Sequence, residues 1–124
     1  MAESYRQRDS PSLQVLFCFG VSQNFFDAGA DTRTLVIQEL KNAFADLEGR
    51  FGARVLGTLD DDDLVVGPSG GWPWTAYILA EVPDYTTVTS ITTIVRDWPV
   101  GADRLWRYMK VEARVGRKLF FGDS

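Results

Sequence analysis

Residues Gly67–Glu81, GPSGGWPWTAYILAE, run from a turn into a strand, and the rest of the chain is read outward from them. Gly67, Pro68, Ser69, Gly70 and Gly71 are turn formers, and Pro73 separates Trp72 from Trp74. Glycine and proline impose a particular backbone path on such a turn. Thr75 to Val82 then reads as a plain strand ended by Pro83. Flat aromatic side chains at the mouth of a strand suggest an aromatic ligand or a dimer seam. The alternative is that both tryptophans cap the core.

Upstream of the turn, Ala53 to Leu59 (ARVLGTL) reads as another strand, followed by four aspartates, Asp60 to Asp63. An acidic run can bind Ca²⁺ or Mg²⁺ through oxygen. This one lacks the spaced pattern of a calcium loop and reads better as a solvated hairpin turn. Further upstream, Asp31 or Thr32 can cap a helix reaching about Glu48, with Val36, Leu40, Ala43, Phe44 and Leu47 on one stripe. Gly49 is its natural stop. Leu13 to Val21 (LQVLFCFGV) is a buried central strand, and SQNFFDAGA after it is a loop whose Asn24 sits where ligands approach a sheet.

Downstream, Asp84 can cap a helix to about Asp97, with Val88, Ile91, Ile94 and Val95 on one side. Its threonines are weak helix formers, so packing must hold it. Trp98-Pro99 breaks it. Val100 to Trp106 reads as a short helical turn. Tyr108 to Val115 (YMKVEARV) alternates strictly, the clearest strand pattern in the chain. Residues 1–12 and 119–124 read as tails around a single domain, 13–118.

The order is strand, helix, strand, strand, helix, strand. It predicts an α+β, ferredoxin-like βαββαβ fold: a four-stranded antiparallel sheet with both helices on one face. Leu13, Val15, Phe17, Phe19, Ala76, Ile78, Ala80, Met109, Val111 and Ala113 would face the helices. The open face would carry Gln14, Leu16, Cys18, Arg54, Leu56, Thr58, Thr75, Tyr77, Leu79, Tyr108, Lys110, Glu112 and Arg114. That face is too apolar to leave in water. Two such sheets packed together predict a homodimer, a dimeric α+β barrel with a cavity between the sheets.

Composition narrows the chemistry. The chain has 124 residues, a net charge of −4 and no histidine. One domain of this size can bury a core. The acidic balance argues against nucleic acid as a partner. The lack of any long apolar run argues against a membrane span, and the polar N-terminus lacks the apolar segment of a secretory signal. With no histidine and one cysteine, Cys18, histidine-based triads are excluded and a zinc site is disfavoured. We expect no metal and no cofactor. Catalysis would fall to Glu112, ionised between Lys110 and Arg114, with Tyr108 beside it. Arg114 and Lys110 would hold a substrate carboxylate, and Trp72, Trp74 and Tyr77 its ring. The competing reading of Lys110, Glu112 and Arg114 is cross-strand charge pairing. Cys18 reads as a small buried residue.

The segments VLFCFGVSQNFFDA, VLGTLDDD, VGPSGGWPWTAYILAEVPD and WPVGADRLWRYMKVEARVGR resemble the small IacB-type proteins of bacterial indole-3-acetic acid degradation clusters. The resemblance spans residues 13 to 118. It implies a cytoplasmic bacterial protein that acts on, or assists turnover of, an oxidised indoleacetate intermediate. It carries over no catalytic residues. The expected fold is also similar to that of muconolactone isomerases and cofactor-free monooxygenases, by analogy of fold alone. Two functions follow as expectations: a small enzyme of aromatic acid catabolism, or a non-catalytic binding or accessory protein for a partner oxygenase.

Overall fold

The computed structural model describes residues 13–61, 74–117 and 119–122. Trp72, Asp62, Asp63, the glycine-rich turn at 67–71 and the N-terminal tail lie outside them.

In chain order the elements are β1 (Leu13–Val21), α1 (Gln23–Asp27), α2 (Ala30–Ala43), α3 (Leu47–Phe51) and β2 (Arg54–Asp60). Then come β3 (Ala76–Val82), α4 (Tyr85–Asp97), β4 (Pro99–Val100), β5 (Asp103–Arg104), a 3₁₀ turn (Leu105–Arg107) and β6 (Met109–Gly116). The main sheet has four strands in the order β2-β3-β1-β6, each pair antiparallel. This is α+β and compatible with a ferredoxin-like arrangement. β4 and β5 form a separate hairpin.

One hydrophobic core holds the sheet to the helices. Val15, Phe17 and Phe19 of β1, Ala80 and Val82 of β3 and Met109 of β6 are buried with Val36 and Ala43 of α2. Val88, Ile91, Ile94 and Val95 of α4 join the same cluster. Both helices therefore cover the face marked by the odd-numbered residues of β1. All ten residues expected on that face are in this core or packed against it.

Helix α4 matches its expectation closely. The Asp84 carboxylate caps it, accepting from the Thr87 amide at 2.8 Å and the Thr87 hydroxyl at 2.7 Å. Thr89 and Thr92 turn their hydroxyls back onto the carbonyls of Tyr85 and Thr89, which spares them solvation but adds no helix propensity. Four apolar residues on one face supply the packing instead.

The first long helix is shorter than its pattern. It ends at Ala43, and Arg50 Nη1 donates to the carbonyls of Ala43 and Ala45, at 2.7 and 2.8 Å. Asp46 turns left-handed at φ 50° and its Oδ1 caps α3 by accepting from the Gly49 amide. Leu47 stays buried and keeps the apolar stripe in phase across the break, which is why periodicity reads straight through it. The stop is Gly52 at φ 71°, not Gly49. Gly49 lies inside α3, where a Cβ would sit 2.3 Å from Asp46 Oδ2.

Three smaller expectations change. The SQNFFDAGA segment begins with a short helix, α1, rather than being all loop. Val100 to Trp106 is a hairpin followed by a 3₁₀ turn rather than one helical turn. In β2 a bulge between Val55 and Gly57 shifts the register, so Thr58 pairs with Ile78 on the helix side and Leu59 pairs with Tyr77 on the open side. One extra residue exchanges the faces of everything after it.

Candidate functional site: the open face of the sheet

The register builds the open face in transverse rows. Leu59, Tyr77, Cys18 and Glu112 form one row across β2, β3, β1 and β6. Gly57, Leu79, Leu16 and Arg114 form the next. Beyond them Arg54, Glu81 and Gln14 align, with Arg54 Nη2 2.7 Å from Glu81 Oε1. On the other side of the central row, Lys110 stands opposite Gly20. Charged groups are thus set into a wall of leucines.

Within the central rows Arg114 Nε donates to Glu112 Oε2 at 2.9 Å. The carboxylate beside it raises the Arg114 pKa, with smaller contributions from Cys18 and Tyr77. Cys18 has no exposed surface although it lies on this face. Burial is the main cause that pushes its thiol up from the ordinary 9.0, with Glu112 acting the same way and Arg114 opposing. Its thiol is a closed, protonated group at neutral pH.

Tyr77 faces two acceptors. Its hydroxyl is 3.3 Å from the Trp74 carbonyl. It also lies in reach of the Asp61 carboxylate, the main cause that holds the phenol above its ordinary 10.0. One phenolic proton can serve only one of them at a time. Asp61 Oδ1 is buried and has no hydrogen-bond partner among the described residues. Sequence reading set Asp61 aside as part of a solvated acidic run. The signal that could have found it is its position one residue past β2, where its amide bonds Thr75 and closes the strand pair.

The expected site residues divide. Lys110, Glu112, Arg114 and Tyr77 share the open face, and Trp74 is buried at the start of β3. Tyr108 does not join them. Its backbone is helical, at φ −111° and ψ −16°, so the alternation starts one residue later. The ring is buried in the core and its hydroxyl reaches Asp103 Oδ2 at 3.4 Å. Asn24 is elsewhere too: its Nδ2 donates to the Arg107 carbonyl at 3.0 Å, beside a parallel bond from the Ser22 hydroxyl. Those two bonds fasten α1 to the 3₁₀ turn. Trp72 lies outside the described residues.

The exposed leucines give the face its second property. Leu59 is 59% exposed and Leu79 38%, and every residue of β2 is exposed. β2 is also an edge strand, with one side of its backbone unpaired within the sheet. A hollow of about 350 Å³ between α4 and β6 is lined by Arg96, Trp106 and Lys110 among others. A larger cavity of about 510 Å³ lies at the end of the sheet, against α2.

Among the described residues no group of three or more acidic or sulfur ligands could hold a metal ion, and no helix is long and apolar enough to cross a membrane. No family model, curated protein or solved structure matches the chain.

Proposed function

We propose that this chain binds a small aromatic carboxylic acid, of the oxidised indole-3-acetate class, in a chamber enclosed when two copies meet open face to open face. The observation that supports this reading is the Glu112–Arg114 pair, in line with Tyr77 and set among Leu16, Leu59 and Leu79. A second copy would cover the leucines and leave the charged row lining a closed space. Among the described residues the pair uses Nε of the guanidinium, and its outer nitrogens would serve a carboxylate ligand. Lys110, further along β6, adds a second cation.

Proton transfer in that chamber would use Glu112 as the acceptor. Tyr77 takes the place expected for Tyr108, because the phenol of Tyr108 is committed to the core and Asp103. Tyr77 and Glu112 flank β1, so they stand two strand spacings apart, about 10 Å. A two-ring acid can span that gap with its ring at Tyr77 and its carboxylate at Arg114.

A non-catalytic binding or accessory role is the second reading. It is favoured by one contact: Glu112 Oε2 already accepts from Arg114 Nε, so that oxygen is engaged within the chain. Titration calorimetry with 2-oxindole-3-acetate, followed by product analysis, separates the two. An enzyme binds the acid and converts it, and Glu112→Gln binds without conversion. A binder shows heat of binding and no product. Absence of binding at millimolar ligand would overturn both.

A further inference from the structure

The cavity at the end of the sheet lies between α2 and the sheet; Leu59 and Tyr77 of the central row reach its rim, whereas Glu112, Arg114 and Lys110 are not among its described lining residues. Phe19, Ile78 and Met109 of the sheet form one wall, and Ile37, Leu40 and Phe44 form the other. At about 510 Å³ it falls within the usual range of small-molecule sites, roughly 300–1,000 Å³.

Helix α2 creates it by carrying two apolar stripes. Val36 and Ala43 are buried in the core. Ile37, Leu40 and Phe44, at the three- and four-residue spacings of a single helix face, line the cavity instead. Ile37 stays 50% exposed. Phe44 meets Phe19 edge to face, with ring centroids 5.0 Å apart at 83°. A ring inserted beside this pair would meet aromatic edges and aliphatic walls, the surroundings a planar apolar ligand prefers.

The polar part of the lining decides the charge of the guest. Thr58, Asp60, Thr75 and Tyr77 supply it, and no lysine or arginine is among the described lining residues. Thr58 reaches this face because of the bulge in β2. A carboxylate ligand would meet Asp60 with no cation to compensate. An N–H or O–H donor, or an ammonium group, would be accepted by that carboxylate. We infer that this cavity binds a fused-ring aromatic that is neutral or cationic and carries a hydrogen-bond donor, and that it discriminates against aromatic acids.

The test uses indole, tryptamine and indole-3-acetate, which share one ring system and differ in charge. Titration into the full-length ¹⁵N-labelled protein should shift the amides of Ile37, Phe44, Thr58 and Ile78. Tryptamine and indole should bind at least about ten-fold more tightly than indole-3-acetate at this position, a difference of roughly 1.4 kcal/mol. Ile37→Trp should fill the cavity and abolish those shifts while the melting temperature changes little, because Ile37 is half exposed. Asp60→Asn should remove the advantage of tryptamine over indole. Arg114→Gln should leave indole binding unchanged, which separates this site from the Glu112–Arg114 pair. Equal affinity for the acid and the amine would overturn the inference. So would shifts confined to Leu16, Cys18, Glu112 and Arg114, or no shifts in the wild-type protein at millimolar probe.

Discussion

Arg114 donates from Nε to Glu112 Oε2 at 2.9 Å across two positions of the same strand, and both side chains are about half exposed. An exposed ion pair of this kind contributes little to folding. Arg114→Gln and Glu112→Gln should therefore melt within a few degrees of the wild type. Affinity for 2-oxindole-3-acetate should nevertheless fall about ten-fold or more in Arg114→Gln, because a carboxylate loses its charged donor. Thermal scans and calorimetry on the same samples check both halves. A large fall in melting temperature with unchanged affinity would make the pair structural.

Cys18 is expected to be unreactive in the folded protein. Burial raises its pKa from 9.0, so little thiolate forms at neutral pH, and the residue has no exposed surface for a reagent to reach. Iodoacetamide labelling at pH 8, read by mass spectrometry, should be at least about 100-fold slower in the native protein than in denaturant. Arg114→Gln should slow it further, since Arg114 is the one charge that opposes the upward shift. Rapid native labelling would contradict the closed environment described for the central row.

The Asp84 cap gives a pH dependence of defined sign. The Thr87 hydroxyl, and then the Thr87 amide, hold the Asp84 pKa below its ordinary 3.8. A carboxylate depressed in the fold contributes fully above its unfolded-state pKa and loses that contribution as pH falls through the folded value. Asp84→Asn keeps a capping oxygen that does not titrate. The melting temperature of the wild type relative to Asp84→Asn should hold steady from neutral pH down to about 5, then decline toward pH 2. A difference that stays constant through this acid range would remove the cap from the account.

Gly49→Ala tests the break between α2 and α3. Alanine usually stabilises a helix interior by about 0.5–1 kcal/mol over glycine. Here the added Cβ would displace the Asp46 carboxylate from the Gly49 amide. Loss of such a cap costs about 0.5–2 kcal/mol, so the substitution should lower stability in urea denaturation rather than raise it. In an Asp46→Ala background the usual benefit of alanine should return.

Strand and helix identity were legible wherever one apolar period ran unbroken. β1 matched residue for residue, and α4 matched together with its cap. The errors fall where a single residue alters the backbone without altering the pattern. Leu47 kept the stripe of α2 in phase beyond its true end. The bulge in β2 turned Thr58 inward and Leu59 outward, and no periodicity announces an unpaired residue. Tyr108 continued the alternation of β6 on paper, but a helical backbone angle turned its ring into the core. The candidate site was therefore legible along β6, from Lys110 to Arg114, and illegible across strands. The alignment of Tyr77, Cys18 and Glu112 depends on registers that only three-dimensional pairing fixes.

The cover over the leucines of β2 and β3 is the central claim, and the solution mass tests it most directly. Multi-angle light scattering at micromolar concentration should give twice the chain mass of 13.9 kDa. Leu79→Lys should return it to a single chain and abolish binding of 2-oxindole-3-acetate together. A wild-type mass of one chain across the concentration range would contradict the shared chamber.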